Sequence, residues 1–406
     1  MTSAKTADIV IAGAGIGGLT TALALHANGI DATVLEAAPE IRPLGVGINI
    51  QPAAIAVLTA TLGLGDELAA TAIPTREHLY VDHTGAKLWH EPRGLAAGHP
   101  YPQYSIHRGE LQMLLLAAVR DRLGADAVRT GARLQSFEHT GSGIRAHTHD
   151  EATGTTVTFE ADALIGADGL NSVVRGQLHP GRTPLSAGGM RMWRGLVELD
   201  GFLDGRTMIV ASDDDATRMV AYPMSARHAA RGKALLNWVC LVPGSFADAS
   251  GDVSLNHPGH AEDVLPHLAH WNFDWLDIRD MLARSSQILR YPMVDRDPLA
   301  RWGDRQVTLL GDAAHPMYPI GANGASQAIL DAAALATELA GHGDVATALD
   351  RYEGDRRPAT TKIVQANRKM DRAERAMATR PDQDKAATIA AVTSSYRAAV
   401  ELPARG

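Results

Sequence analysis

The chain contains 406 residues, of which 45% are hydrophobic and 21% charged, a composition typical of a globular protein with two or three domains. Its net charge of −8 disfavours nucleic acid and anionic membrane surfaces as partners. The single cysteine, Cys240, excludes an internal disulfide. Because the first residues do not have the pattern of an export signal, we expect a cytoplasmic protein.

The first predicted elements are a strand, a glycine-rich turn, a helix and a second strand. The apolar run 9–12 predicts a buried strand, and Gly13, Gly15 and Gly18 follow it as GxGxxG. The first glycine allows a tight turn, the second lets a pyrophosphate approach the backbone, and the third lets helix and strand pack closely. The helix N-terminus offers free N–H groups to phosphates, and Glu36 can accept hydrogen bonds from a ribose. This order of elements predicts a dinucleotide site.

Two segments after this unit carry further candidates. The loop 37–49 contains Gly45 and Gly47, which either admit a flat ring close to the backbone or only shape the loop, and we favour the ring. Arg108 lies at the start of a predicted helix over 109–123, where a cation opposes the helix dipole. A bound anion would resolve that conflict, whereas the alternative is an ordinary surface arginine.

The middle of the chain predicts a different architecture. Four consecutive strand-like runs, at 190–199, 206–212, 217–223 and 234–242, predict an antiparallel sheet. Large side chains on these runs are candidates for a broad, flat substrate pocket, or else for ordinary core. Histidines recur between residues 257 and 270, but their proline, acidic and apolar neighbours favour a helix surface over a metal site.

Two later strands end on aspartate. Residues 163–168 predict a buried strand that ends on Asp168-Gly, and residues 306–324 predict a strand, a loop and the start of a helix. That loop begins with Gly-Asp312-Ala-Ala-His-Pro, and Asp312 comes directly after the strand, where open α/β sheets bind ligands. Helices are predicted over 324–341, 344–375 and 382–400.

Together these motifs resemble the single-component FAD-dependent aromatic hydroxylases with the p-hydroxybenzoate hydroxylase fold. The resemblance covers nearly the whole chain and rests on GxGxxG with Glu36, on Arg108, on Gly-Ala-Asp168-Gly and on the Asp312 motif. Within that family, the segments 40–54, 101–112, 192–195, 291–299 and 321–331 are most similar to phenazine hydroxylases.

The resemblance implies an α/β fold in which a Rossmann-like FAD-binding domain is interleaved with an antiparallel-sheet substrate domain, followed by C-terminal helices. The FAD-binding domain is expected over 1–75, 98–180 and 296–375. The substrate domain is expected over 76–97 and 181–295, and a C-terminal helical segment over 376–406.

The resemblance also implies non-covalent FAD and roles for particular residues. Glu36 would bind the adenosine ribose, Arg108 and Gln112 the pyrophosphate and ribityl side, and Asp312 the ribityl chain or phosphate. Asp168 would help hold the FAD-binding loops and the pyridine-nucleotide face. The backbone at 321–325 would lie beside the flavin pyrimidine ring, where a helix N-terminus stabilises negative charge on the reduced flavin.

The expected cofactor contacts are Gly13, Gly15, Ile16, Gly17, Gly18, Glu36, Ala37, Arg42, Gly47, Arg108, Gln112, Leu134, Asp168, Asp312, Gly321, Asn323, Gly324 and Ala325. The expected substrate contacts are Trp193, Met208, Tyr222, Met317 and Pro319. No catalytic side chain is assigned, because the chemistry is expected to be centred on the flavin.

The implied activity is that of a monooxygenase that uses NADH or NADPH and O₂. It would hydroxylate a flat fused aromatic carboxylate, a phenazine-1-carboxylate, through a flavin C4a-hydroperoxide and with loss of CO₂. Ile320 stands where salicylate-type relatives often have histidine, which weakens a salicylate assignment. The alternatives are a hydroxylase of another fused aromatic, such as a polyketide or quinolone, and a non-catalytic flavin-binding redox protein. We expect a monomer or homodimer whose partner is a small aromatic molecule.

Overall fold

The structure is a computed structural model and describes residues 5–181, 184–246, 257–377 and 382–400. Its strands, in chain order, are β1 (Lys5–Ala12), β2 (Ala32–Leu35), β3 (Gly47–Ile50), β4 (Ile73–Thr75), β5 (Glu77–Asp82), β6 (Lys87–Pro92), β7 (Gln103–His107), β8 (Val128–Arg129), β9 (Arg133–His139), β10 (Ile144–Asp150), β11 (Thr155–Gly166), β12 (Ser186–Leu199), β13 (Thr207–Ser212), β14 (Arg218–Pro223), β15 (Ala234–Pro243), β16 (His257–Pro258), β17 (Gln287–Asp295) and β18 (Val307–Leu309).

The α-helices are α1 (Ile16–Ala27), α2 (Pro52–Ala56), α3 (Gly65–Thr71), α4 (Arg108–Leu123), α5 (Val173–Leu178), α6 (Ala226–Ala229), α7 (Ala261–Val264), α8 (Ile278–Ala283), α9 (Gly324–Gly341), α10 (Val345–Met377) and α11 (Asp382–Val400). A π-helical turn, Val57–Thr61, continues α2. Among the helices described, none combines the length and apolar character that a membrane span needs.

The first sheet has the strand order β8-β2-β1-β11-β10-β9, with β18 pairing β11 as well. Strands β8, β2, β1, β11 and β18 run parallel, while β9 and β10 form an antiparallel extension. The strand predicted over 163–168 is the end of the longer β11. Because parallel strands have their carboxyl ends at one edge, Ala12, Leu35, Gly166 and Leu309 meet there, and this edge is where such sheets bind ligands.

The second sheet has eight strands in the order β16-β17-β12-β15-β14-β13-β5-β6. All its neighbours are antiparallel except β13 and β5, so the four runs predicted as consecutive strands do lie in one sheet. The hairpin β5–β6 joins this sheet from a distant part of the chain. A third sheet of three short strands, in the order β3-β7-β4, completes the sheet topology. The domain boundaries expected from the sequence stay a prediction.

Separate hydrophobic cores cover the two large sheets. The first core surrounds β1 and α1, where Val10, Ile11 and Leu19 are fully buried, and the helices α4 and α9 pack on α1. The second sheet buries one face in a core that contains Trp193 and Trp238. Since side chains alternate along a strand, the same strands present their other residues to the opposite face.

A buried carboxylate connects the end of β18 to two helices. Asp331 on α9 accepts hydrogen bonds from His315 Nε2 at 2.6 Å, from Arg356 Nε of α10 at 2.8 Å and from the Gly311 backbone N–H at 3.1 Å. Burial alone raises the pKa of this carboxyl, but the charges and hydrogen bonds of His315 and Arg356 outweigh it, so the pKa of Asp331 is lowered. The cluster fixes the turn that presents Asp312.

We expect Asp331→Asn to reduce the free energy of unfolding by about 3–5 kcal/mol, because it leaves the buried Arg356 without its counter-ion. Urea unfolding of the FAD-loaded protein at pH 7 measures this, with the exposed Asp350→Asn on α10 as the control. The lowered pKa of Asp331 stabilises the fold at pH values above its ordinary 3.8, and that stabilisation is lost as the pH falls through the folded-state pKa. The free energies of unfolding of wild type and Asp331→Asn should therefore differ less in acid. Equal free energies of unfolding at pH 7 would contradict the stabilising role of Asp331.

Candidate active site

A cavity of about 420 Å³ lies between the carboxyl edge of the first sheet and the second sheet. Its first wall contains Gly15, Ile16, Gly17, Arg108 and Asp312. The loop 317–325 forms part of the boundary, and the second sheet contributes a largely apolar floor. The cavity therefore brings the nucleotide motif together with the strand runs that the sequence nominated for a substrate.

The three motif glycines have different physical reasons for lacking a side chain. At Gly13, with φ +103°, an added Cβ would lie 2.5 Å from the Ala167 carbonyl oxygen, and at Gly18 it would lie 2.0 Å from the Gly13 carbonyl oxygen. A Cβ on Gly15 would meet no protein atom within 4 Å. Gly13 and Gly18 are thus needed by the fold, whereas Gly15 leaves a cradle that a ligand can occupy.

The cradle has the chemistry that a pyrophosphate needs. Gly15 is the N-cap of α1 and provides no side-chain hydrogen bond to the first turn, so backbone N–H groups there are available to an anion. Arg108 is the first residue of α4 and lines the same cavity. The residues present therefore fit a dinucleotide such as FAD.

Glu36 and Gln112 brace the glycine loop from outside the cavity. The Glu36 carboxylate accepts hydrogen bonds from the backbone N–H groups of Ala14 and Ala38, at 2.9 and 2.8 Å. The Gln112 side-chain amide donates to the Ala14 carbonyl oxygen at 2.8 Å. Both side chains thus shape the loop in this structure, and their contacts with FAD stay predictions.

Several other expected cofactor contacts lie away from the cavity lining. Arg42 is exposed and pairs with Glu40 at 2.7 Å, and the side chain of Leu134 on β9 belongs to the first core. Gly47 packs against β15, where an added Cβ would lie 2.6 Å from Asn237 Cβ. Its backbone N–H donates to Asn237 Oδ1 at 2.9 Å, so Gly47 permits close contact between the three-stranded sheet and the eight-stranded sheet.

Asp168 lies in the turn before α5, and its carboxylate faces the first turn of that helix. It accepts hydrogen bonds from the Val173 and Val174 backbone N–H groups at 2.7 and 3.2 Å, while burial raises its pKa. Arg175 on the same helix donates to the carbonyl oxygens of Ala313 and Ala314 at 2.8 and 2.9 Å. This linkage of α5 to the Asp312 turn supports the expectation that Asp168 holds the FAD-binding loops.

The loop before α9 is supported by the last described helix. Asn323 is the N-cap of α9 and donates a hydrogen bond to the Tyr396 hydroxyl of α11. That hydroxyl donates to Asn367 Oδ1 at 2.7 Å, and a Cβ on Gly321 would lie 1.9 Å from it. The sequence predicted α11 as a helix but carried no local signal that Tyr396 would support the 321–325 loop.

The sheet face toward the cavity is mostly apolar. Of the expected substrate contacts, Met208, Tyr222, Met317 and Pro319 line the cavity. The floor also contains residues that the sequence did not single out, namely Met192, Arg194, Val210, Arg218, Val220, Val239 and Leu241. Side chains alternate between the two faces along β12, β13, β14 and β15. Every second residue on these strands therefore shares the cavity face, and this pattern is the sequence signal that could have found them.

Trp193 was the wrong choice as a substrate contact. Its side chain lies in the core on the far side of the second sheet, with its ring 5.2 Å from the Phe246 ring and 5.9 Å from the His267 ring. Because neighbouring residues on a strand point to opposite faces, it is Met192 and Arg194 that face the cavity. The alternation of side chains along β12 can be predicted from the sequence, but which of its two faces borders the cavity cannot.

Burial keeps the histidine and two tyrosines of the cavity lining uncharged. Burial and the nearby Arg93 hold the pKa of His78 well below its ordinary value, so its imidazole is neutral at pH 7. Burial also raises the pKa of the Tyr80 and Tyr222 hydroxyls, which are therefore protonated. Fixed positive charge at the floor comes from Arg194 and Arg218.

A larger open groove of about 970 Å³ runs along the first sheet near β2 and β10, lined by charged residues that include Asp31, Arg145 and Glu160. It contains none of the residues expected to contact cofactor or substrate. We therefore assign the chemistry to the smaller cavity.

A dinucleotide cradle that faces an apolar sheet across one cavity is the arrangement of a flavin-dependent monooxygenase. The chain belongs to the FAD binding domain family, whose model matches residues 6–367. It is 66% identical over 403 residues, 99% of each chain, to the phenazine 1,6-dicarboxylic acid hydroxylase PhzS of Lysobacter antibioticus. It is 32% identical over 365 residues to 3-hydroxybenzoate 6-hydroxylase 1 of Aquipseudomonas alcaligenes, covering 88% of this chain and 86% of that one.

A solved structure supports the same assignment. Klebsiella pneumoniae HpxO complexed with FAD and uric acid is 25% identical, with a TM-score of 0.75 over 98% of this chain and 93% of that chain. The expected family, the fold class and the cofactor are thereby confirmed. The protein is an FAD-dependent aromatic monooxygenase that uses NAD(P)H as co-substrate, and the non-catalytic alternative is set aside.

We expect Gly15→Val to fold but to lose FAD, because a Cβ at this position meets no protein atom within 4 Å and the side chain would occupy cavity space. Glu36→Ala should weaken FAD binding less, since it removes hydrogen bonds worth about 1.5–3 kcal/mol. Titration of FAD into each apo-protein measures the ranking, with Gly18→Val as a control that should not fold. Tighter binding by Gly15→Val than by Glu36→Ala would refute it.

Asp312→Ala should lose FAD affinity or flavin reduction rate without losing the fold, because the Asp312 side chain is exposed to the cavity. The measurements are flavin occupancy after gel filtration, stopped-flow reduction by NAD(P)H, and the thermal unfolding midpoint. The exposed Asp121→Ala on α4 is the control. If occupancy and reduction match the wild type, Asp312 serves the turn and not the cofactor.

Proposed function

We propose that the protein hydroxylates a phenazine carboxylate at the carbon that carries a carboxylate, with release of CO₂. The observation that carries this proposal is the broad apolar floor of the cavity, formed by Met192, Met208, Val220, Val239 and Leu241. Such a surface suits a flat, fused aromatic ring system. The 66% identical relative is named for its action on phenazine 1,6-dicarboxylic acid, which supports the same substrate class.

The cofactor residues are part of this proposal. Gly15, Arg108, Asp312 and the backbone at 321–325 would hold FAD along the first wall of the cavity. When bound, FAD accepts a hydride from NAD(P)H and activates O₂. The N-terminus of α9 would stabilise negative charge on the reduced ring, since Asn323 leaves the first turn of that helix without a side-chain cap.

The overall reaction balances as a decarboxylative hydroxylation. An aromatic carboxylate, O₂, NAD(P)H and two protons give a phenol, CO₂, NAD(P)⁺ and water. The bond between ring and carboxylate breaks, and its electron pair restores the aromatic ring after oxygen has added at that carbon. One oxygen atom of O₂ enters the phenol and the other leaves as water.

The apolar walls favour this outcome. A carboxylate is poorly solvated among methionine and valine side chains, whereas CO₂ is neutral, so the environment promotes its release. The same walls exclude water from the reacting carbon. Ile320 lies in the lining and is 9% exposed, and it supplies no base for a phenol. This agrees with the decarboxylative route, which does not begin with deprotonation of a phenol.

We expect carboxyl-labelled phenazine-1-carboxylate, its N-methylated form or phenazine-1,6-dicarboxylate to give labelled CO₂ and a hydroxyphenazine together, with little hydrogen peroxide. The assay supplies NAD(P)H and O₂ and follows products by mass spectrometry. A hydroxylated product that keeps every carboxylate would contradict the decarboxylative route. If no phenazine is turned over, the substrate is another fused aromatic, such as a polyketide or quinolone.

A further inference from the structure

Arg194 is a cation of the cavity floor for which the described part of the chain provides no acidic partner. It lies on β12, in register with Val239 of β15 and Leu289 of β17. Its Nη2 group donates to the Gly47 carbonyl oxygen, and its guanidinium carbon lies 5.5 Å from the Tyr291 ring centre. Its Nε atom is buried and has no hydrogen-bond partner. The Nε group is thus unpaired within the protein, while the guanidinium as a whole is half-buried and lines the cavity.

Two other cations of the cavity lining, Arg93 and Arg218, are already paired with carboxylates. Arg218 pairs with Asp371 at 2.8 Å and with Glu374, and Arg93 pairs with Glu91. Arg108 lies at the glycine cradle, where the resemblance places the cofactor phosphates. Among the residues that the structure describes, no carboxylate lies within ion-pair distance of Arg194.

A half-buried cation without a counter-ion is unfavourable in apolar surroundings, so the missing anion is best supplied by the bound molecule. The planar guanidinium matches a carboxylate in geometry as well as in charge. The Tyr222 hydroxyl lies beside Arg194, since the guanidinium lowers the pKa of that phenol against the effect of burial. A substrate carboxylate at this point would meet two kinds of donor.

An ion pair with arginine opposes decarboxylation of the carboxylate that it holds. Loss of CO₂ turns the charged group into a neutral molecule, and a guanidinium stabilises the charged form before the reaction. A carboxylate among Met208, Val220 and Leu241 has no such stabilisation. The floor near Arg194 therefore suits a carboxylate that stays on the ring, and the apolar part of the floor suits a carboxylate that is lost as CO₂.

We propose that Arg194 binds the carboxylate that the substrate keeps, and that it thereby selects phenazine dicarboxylates over phenazine monocarboxylates. This inference rests on the proposed function. Arg194 acts as a specificity-determining residue, and the carboxylate that is lost lies over the apolar part of the floor.

The test compares phenazine-1,6-dicarboxylate with phenazine-1-carboxylate in wild type, Arg194→Met and Arg194→Lys. Dissociation constants for the oxidised, FAD-loaded proteins come from flavin absorbance titrations, and kcat/KM comes from product formation. Arg191→Met is the matched control, because Arg191 lies on the same strand but faces Trp193 and His267 on the other side of the sheet.

Wild type should bind the dicarboxylate more tightly than the monocarboxylate. Arg194→Met should weaken dicarboxylate binding by about 10- to 100-fold and monocarboxylate binding by less than about threefold. Arg194→Lys should keep part of the preference for the dicarboxylate, because it keeps a positive charge. Arg191→Met should change the dissociation constant of neither phenazine. Flavin content and the thermal midpoint of each variant show whether the cavity is intact.

The inference is overturned if Arg194→Met weakens both ligands equally, if it weakens neither, or if wild type binds the two phenazines equally well. Each of these outcomes leaves the proposed function standing as long as wild type turns a phenazine over. Failure of wild type to bind or oxidise either compound removes the proposed function itself.

Discussion

The buried carboxylate of Asp331 is the interaction on which the cofactor cleft depends. It joins α9, α10 and the turn after β18, because Arg356, His315 and the Gly311 N–H all donate to it. Arg175 ties the same turn to α5 through two backbone carbonyl oxygens. The strand end that presents Asp312 is therefore held by charges and hydrogen bonds inside the protein, which leaves the Asp312 side chain free to face the cavity.

The two faces of the second sheet have different roles, because side chains alternate between them along each strand. One face buries Trp193, Trp238 and Met281 in a core, and the other lines the cavity with aliphatic and methionine side chains. Charges on the cavity face are neutralised one by one, as in the contact of Arg218 with Asp371. Against that background a single unmatched guanidinium becomes a strong determinant of which molecule binds.

The C-terminal helices α10 and α11 complete the lining of the cavity. Tyr396 of α11 contacts the loop before α9, and Arg397 pairs with the buried Glu91 of β6 at 2.8 Å. Thr393 and Tyr396 line the cavity itself. The loop expected beside the flavin and the hairpin from the second sheet are thus held against one helix, so their relative position depends on contacts between residues far apart in the chain.

The sequence by itself determined the features whose causes are local. The GxGxxG turn, the helix N-terminus behind it, the aspartates after strands and the four runs of the second sheet all follow from local backbone geometry and period. The resemblance of these motifs to a known family then indicated the family, the fold class and the cofactor. Only the tertiary structure decided which face of β12 borders the cavity: Trp193, expected to contact substrate, lies in the core, and Arg194 lines the cavity. It also decided that Tyr396 supports the 321–325 loop and that Arg194 has no acidic partner among the described residues, because partners from distant elements leave no pattern in the neighbouring sequence.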